Sequence, residues 1–405
     1  MEFKITEKIK GHYSILAGWV IDGMGGHVQK NMVLEVEDGT LVSFHKRKTG
    51  NLDQKYEFDF SNGTIFPGLI DCHVHLFMAG TNSRKIRHGQ LQATFDSIRH
   101  VISLHLRQQL KHGIVAVRDG GDYAGHALRY KNEYLGKSGL PIMIKSPGKA
   151  WRKAGRYGKL IGRPPLNGET LVEAVKRWKG QVDHIKIVNS GLNSLKEFGK
   201  ETLPQFTKDQ LRETCSMARK AGLPVMVHAN GILPVKLAIE AGCDSIEHGF
   251  FMGNENLKLM AEKQIIWVPT AYTMKAYSQY LDPADREVDI AKKNLDHQLD
   301  QIRRAVQYGV PMAVGTDCGS LGVHHGAAFM EETSLLMTSL NFEEAIRCGT
   351  LNGAKLLGLE RDMGSLSTGR SATFVVSKGS PSDLLNKFCP PFRIFIKGRQ
   401  WTDNS

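Results

Sequence analysis

The sequence predicts an α/β chain, a (β/α)₈ barrel carrying a small β-sandwich domain built from both termini. Three observations lead there. Short apolar, β-branched runs alternate with amphipathic helical segments about eight times over roughly 300 residues, as in a barrel of parallel strands. Both chain ends are instead rich in alternating strands and turns. No glycine-rich phosphate loop follows the first strand of the repeat, where Leu69-Ile70-Asp71-Cys72-His73 stands, and this disfavours a doubly wound sheet.

The elements follow in order. Ile15 to Ile21 is apolar and meets the turn Asp22-Gly23-Met24-Gly25-Gly26. Met32–Val36 and Leu41–Phe44 alternate around Asp38-Gly39, a hairpin signature. Ala372–Val376 and Arg393–Gly398 have the same texture, so residues 1–65 plus 366–405 are assigned to the β-sandwich and 66–365 to the barrel. Within the barrel, strands are expected at Thr64–Ile70, Ile114–Arg118, Pro141–Lys145, His184–Val188, Pro224–His228, Ser245–His248, Ile265–Pro269 and Met312–Thr316. Their near-continuous apolar character suits strands covered on both faces. Thr207-Lys208-Asp209-Gln210 is a capping box, Leu211, Thr214, Cys215 and Ala218 share one helical face, and Gly222 and Pro224 end that helix. Pro234–Ala241 with Gly242, and a helix opened by Asn341-Phe342-Glu343-Glu344, repeat the logic.

Composition excludes several classes of function. Of 405 residues, 41% are apolar, which rules out disorder, and no apolar run reaches transmembrane length. Met1-Glu2-Phe3-Lys4-Ile5-Thr6-Glu7 lacks a signal-peptide apolar core. The six cysteines form no C-x-x-C pair, so a reducing compartment, the cytoplasm, is expected. The formal charge of +12 raises the question of a nucleic-acid surface. Without a zinc-finger spacing, an RNP-type motif or a basic tail, no nucleic-acid or membrane partner is expected.

Barrel chemistry sits at the carboxyl ends of the strands. The first strand ends His73-Val74-His75, and residues i and i+2 face one way. The fifth ends at His228, the sixth at His248 and the eighth at Asp317. Four strand ends carrying metal-competent side chains predict a metal site. Lys186 lies between two isoleucines, where desolvation would favour the neutral amine; a neutral amine can take up carbon dioxide as an anionic carbamate.

In this order, His73, His75, Lys186, His228, His248 and Asp317 resemble the ligands of the amidohydrolase superfamily. The branch is the one with a bridging carbamylated lysine, similar to prolidases and Xaa-Arg dipeptidases and related to imidazolonepropionases. Gly68–Leu76, Val117–Gly121, Gly315–Asp317, Asn352–Leu359 and Gly364–Arg370 match its motifs, so the resemblance covers nearly the whole chain. It implies two divalent cations, zinc first and Mn²⁺, Co²⁺ or Fe²⁺ as alternatives. His73, His75 and Asp317 would hold one, His228 and His248 the other, and N6-carboxylated Lys186 would bridge them. It implies hydrolysis of an amide, peptide-like or carbamate C–N bond, with Asp317 as the catalytic proton carrier. A deaminase of an aminated heterocycle and a cyclic-amide or lactone hydrolase are the alternatives.

The barrel mouth departs from the branch. Asn230 replaces a second histidine, Gly155-Arg156-Tyr157-Gly158 stands for Gly-Gly-His-Gly, and Asn189-Ser190-Gly191 replaces Ala-Thr-Gly-Gly. Dipeptidase activity therefore does not follow. Lys145, Lys149, Arg152, Lys153, Arg156, Lys159 and Arg163 crowd one loop without an acid, which would suit a small substrate with a carboxylate or, equally, a solvated loop. Arg152, Arg156, Tyr157, Asn189, Asn230 and His325 are the candidate substrate contacts. Cys72 and Cys318 are expected to be wall residues, and a homo-oligomer is expected.

Overall fold

The computed structural model describes residues 11–48, 55–178, 181–386 and 391–402. The first seven residues, and Cys389 of the six cysteines, lie outside the described residues. The strands are β1 His12–Val20, β2 Gln29–Glu37, β3 Thr40–Lys46, β4 Phe58–Pro67, β5 Leu69–Val74, β6 Ile114–Asp119, β7 Met143–Lys145 and β8 Ala150–Trp151. They continue as β9 Gly162–Arg163, β10 Ile185–Val188, β11 Val225–Ala229, β12 Ser245–His248, β13 Ile266–Val268, β14 Phe374–Lys378, β15 Arg393–Ile396 and β16 Arg399–Trp401.

The two chain ends share one seven-stranded sheet, ordered β16-β15-β14-β4-β1-β2-β3. Alternate residues of several strands, among them Ile15, Ala17, Leu34, Val36, Phe374 and Phe395, meet in one buried cluster. The sheet therefore curls over a core of its own, helped by the Tyr13 hydroxyl, which donates to the Gly398 carbonyl at 2.6 Å. This differs from the expected sandwich: the strands form one ladder rather than two stacked ones.

The parallel strands are divided between a six-stranded sheet, β13-β12-β11-β10-β8-β9, and a three-stranded one, β5-β6-β7. Met312–Thr316, expected as the eighth strand, forms no strand; Met312 makes an isolated bridge to Trp267, and Cys318 just beyond makes isolated bridges to Val74 and Ser320. They still link the two sheets: Ala313 N donates to Trp267 O at 3.0 Å, and Cys72 N donates to Val314 O at 2.9 Å. Between β7 and β10 no strand pairing is present among the described residues, and Asp183 N to Ser146 O at 3.0 Å spans the break. The ring is thus not a continuous eight-stranded ladder.

The helices start and stop where local chemistry dictates. Helix Lys208–Lys220 carries the reciprocal Thr207–Gln210 capping box and buries Leu211, Thr214, Cys215 and Ala218. Helix Ile232–Ala241 ends at Gly242 in the left-handed conformation, and Asn341 with Glu344 caps helix Phe342–Cys348. These caps satisfy amides that water would otherwise have to reach. None of the described helices is long and apolar enough to cross a membrane.

Candidate metal centre and active site

One cavity of about 280 Å³ opens at the carboxyl ends of the parallel strands, and His73, His75, Lys186, His228, His248 and Asp317 all line it. Ligand atoms of His73, His75 and Asp317 lie within 4.8 Å of one another. Asp317 Oδ1 is 3.5 Å from His73 Nε2 and 3.3 Å from His75 Nε2. The other two imidazoles adjoin them, with ring centroids 5.0 Å apart for His73–His248 and 4.6 Å for His228–His248.

Each imidazole is oriented by an outer partner. His73 Nδ1 meets Glu247 Oε2 at 2.8 Å, His75 Nδ1 the Gly121 carbonyl at 3.0 Å, and His248 Nδ1 the Thr270 hydroxyl at 2.7 Å. His228 Nε2 meets the Gly191 carbonyl at 3.0 Å. One nitrogen of each ring is thereby engaged and the other left for a ligand, the usual arrangement around a metal-binding histidine. Glycines make room: a Cβ on Gly120 would lie 2.6 Å from His75 Cε1, and one on Gly315 would lie 2.9 Å from His73 Cβ.

Two of these side chains sit on strained backbone. His248 has φ +67° and Asp317 +55°, a region that non-glycine residues rarely occupy. Both are held by their surroundings. The His248 carbonyl accepts from Trp267 Nε1 at 3.0 Å and Gln298 Nε2 at 2.6 Å, and Asp317 N donates to His73 O at 2.7 Å. Such strain is common where side-chain aim matters more than backbone ease.

The electrostatics suit cations. Burial brings His73 down to about 4 and His228 to about 3, leaving neutral imidazoles. Burial opposes ionisation of Asp317, but the His75 hydrogen bond and the neighbouring imidazoles outweigh it and hold the carboxyl well below its usual range. Burial also pulls Lys186 down to about 8, with Glu247 opposing. Lys186 Nζ is buried and has no hydrogen-bond partner among the described residues. An unpaired ammonium there is costly; a carboxylated nitrogen facing cations is not. The donor set therefore fits divalent metal.

Beneath these side chains lies a buried network that the sequence reading did not single out. Arg118 donates through NH2 to Glu247 Oε1 at 2.8 Å and through Nε to the Cys72 carbonyl at 2.7 Å. Burial works against the Glu247 charge, yet Arg118 and the bond to His73 keep the carboxylate ionised. Asp71 accepts from Thr316 N at 3.0 Å and Thr316 Oγ1 at 2.7 Å, tying the first strand end to the eighth. The available signal was an acid and an arginine inside apolar strands, where each needs a partner.

The candidate substrate contacts divide. Tyr157 and Asn230 line the cavity, with the Tyr157 ring centroid 5.4 Å from that of His228. Arg152, Arg156, Asn189 and His325 do not line it. Arg156 donates to the Leu203 carbonyl at 2.8 Å, and Arg152 to the carbonyls of Lys153 and Arg156. Asn189 is buried and bonds the backbone of Pro234 and Phe206. His325 stacks on His105 with centroids 3.9 Å apart and bonds Cys318 Sγ and the Met78 carbonyl. Cys72 and Cys318 are buried wall residues.

Three lining residues escaped the sequence reading. Arg87, on helix Arg84–Gln92, donates to the carbonyls of Ala79 and Gly319 at 2.7 and 2.8 Å. It is the guanidinium on the cavity wall. In sequence it sits in an ordinary basic stretch, without a distinguishing signal. Tyr277 and Ser320 complete this side, with Ser320 Oγ donating to Asp317 Oδ2 at 2.9 Å.

The amidohydrolase family model matches residues 64–399. The imidazolonepropionase of Hyphomonas neptunium is 25% identical over 403 residues, covering 87% of this chain and 90% of that protein. That of Geobacillus kaustophilus is 25% identical over 373 residues, covering 84% and 82%. Among solved structures, a Xaa-Pro dipeptidase with bound methionine superposes with TM-score 0.80 at 26% identity, covering 97% of this chain and 100% of that one. An A. niger ochratoxinase superposes with TM-score 0.78 at 20% identity, covering 96% and 95%, a likeness of fold alone. With its strand-end cavity and a family match over most of its length, the chain belongs to the amidohydrolase family and is a hydrolase acting on carbon–nitrogen bonds.

Proposed function

We propose that this protein is a binuclear metal-dependent hydrolase that opens an amide-type C–N bond in a small substrate carrying a carboxylate. The observation that carries the reading is the convergence of six ligand-competent side chains on one cavity. His73, His75 and Asp317 would hold one cation, His228 and His248 a second, and Lys186, N6-carboxylated, would bridge them. Imidazole and carboxylate donors favour zinc, with Mn²⁺, Co²⁺ and Fe²⁺ also suited. Bound there, such cations supply Lewis acidity that polarises a carbonyl and acidifies water. The fold carrying this chemistry is read as a (β/α)₈ barrel over 66–365, with residues 1–65 and 366–405 forming the second domain.

The chain's own groups do the rest. Asp317 Oδ1 faces both imidazoles of the first strand, which leaves Oδ2 to take the proton of the attacking water and pass it to the departing nitrogen. The Ser320 hydroxyl holds that oxygen in place. Phe77, Phe250 and Met274 line the cavity and limit its water. Asp317→Asn is expected to lower kcat by about a thousandfold or more, measured as steady-state turnover. A loss smaller than about tenfold would remove Asp317 from proton transfer.

The substrate carboxylate is assigned to Arg87 rather than to the 145–163 loop. Arg87→Met should raise KM for an N-acyl amino acid about tenfold and leave its carboxamide analogue unchanged. Equal effects on both substrates would place the arginine in loop support alone. A ring amide is the second reading, favoured by the imidazolonepropionase relatives. A screen of N-acyl amino acids, dipeptides, carbamates and ring amides decides between them. Turnover of aminated heterocycles with release of ammonia, and of none of these, would overturn both.

A further inference from the structure

A second cavity, about 310 Å³, lies beside the break between β7 and β10, behind the strand that carries Lys186. Lys149, Trp151, Arg163, Trp178 and His184 line it, together with Lys186, which lines the hydrolytic cavity as well. Two of the seven basic residues of the 145–163 stretch therefore face this cavity, while none of the seven lines the hydrolytic one.

The lining asks for an acceptor. His184 is only 2% exposed, and the Asp119 backbone lies beside it, yet neither ring nitrogen completes a hydrogen bond among the described residues. Trp178 Nε1 and Arg163 Nε are likewise buried without a partner among them. Indole N–H and guanidinium groups donate only. The Arg163 guanidinium lies 3.9 Å from the Trp178 ring centroid and 4.8 Å from that of Trp151, so its planar group is fixed by stacking. Lys149 adds a second cation.

The nearby acids are already engaged. Glu133 pairs with Arg129 at 2.8 Å, and Glu169 pairs with Arg177 at 2.9 Å. Buried Asp122 accepts from the amides of Ala124, His126 and Ala127. What remains is a pocket of unfilled donors, the Lys186 amine among them, with Lys149 and Arg163 set beside aromatic walls.

We propose that this cavity, which meets the hydrolytic one at Lys186, binds a small organic carboxylate of its own. Its carboxylate would sit between Lys149 and Arg163, and its body against His184 and the two tryptophans. A carboxylate forked by arginine accepts two parallel hydrogen bonds, which meets the unfilled donors.

Calorimetric titration of the purified holoenzyme with benzoate, followed in parallel by tryptophan fluorescence, tests the assignment. Benzoate is expected to bind, to perturb the fluorescence, and to bind at least about tenfold more weakly to Lys149→Met and Arg163→Met. The tryptophan fluorescence response to benzoate, which reports on this cavity, should be the same in Arg87→Met, altered in the hydrolytic cavity, as in the parent. The fluorescence change should disappear in Trp178→Phe, a conservative variant that keeps the fold testable if Arg163→Met melts early. Absence of benzoate binding, or weakening by Arg87→Met alone, would overturn the proposal. Tighter binding of inorganic phosphate than of benzoate would overturn its carboxylate choice.

Discussion

Lys186→Met is expected to abolish hydrolysis, by about a thousandfold or more in kcat/KM, while leaving the fold as stable as before or more so. The two effects separate because the amine has no structural work. Its nitrogen is buried and unpartnered among the described residues, in a strand whose other side chains are apolar. Methionine fills nearly the same volume and removes the desolvation penalty. Thermal melts of the metal-free protein should therefore not fall. Lys186→Ala removes the whole side chain and leaves room near the ligands, so acetate or propionate added with metal is expected to restore part of the activity. Undiminished turnover in either variant would refute the bridging role. Lost activity with a large fall in stability would recast Lys186 as a packing residue.

Glu247→Gln is expected to damage both stability and metal binding. Glu247 is the hinge of a buried chain running from Arg118 through its carboxylate to His73 Nδ1. Arg118 is 2% exposed, so neutralising its partner strands a buried guanidinium, at a cost of about 3–5 kcal/mol. His73 loses the acceptor that fixes its tautomer, and metal affinity should fall roughly 10–100-fold. Denaturant melts of the metal-free protein and competition with a chelator read the two effects separately. Glu247→Asp keeps the charge but draws it back and should recover part of the stability, not the affinity. An unchanged melt in Glu247→Gln would show that Arg118 finds another acceptor.

The sequence disclosed the site unevenly, for physical reasons. His73, His75, His228, His248 and Asp317 were legible because each ends an apolar run, and strand ends in this architecture converge on one face. Lys186 was legible because a charged side chain inside an apolar strand demands explanation. The orienting partners were visible as residue types but not as pairs, since Glu247 and Arg118 meet across 129 residues of chain. The mouth was least legible. Arg156 looks like a substrate reader, yet its guanidinium is held by the carbonyl of Leu203, 47 residues away. His325 resembles a rim ligand, yet it is buried in a stack with His105. Loop conformation rests on such distant backbone partners, and no periodicity announces them. The eighth strand, expected at Met312–Thr316, does not form as a strand: this segment and Cys318 after it join their neighbours by isolated bridges rather than a ladder. The left-handed turn at Asp317 directly follows that segment.

Six side chains that hold two cations fix a metal stoichiometry. Elemental analysis of the purified protein, after removal of loosely bound metal, tests it most directly. Close to two equivalents of divalent metal per chain are expected in the parent protein, and fewer in Lys186→Met. One equivalent in the active parent, or none, would contradict it.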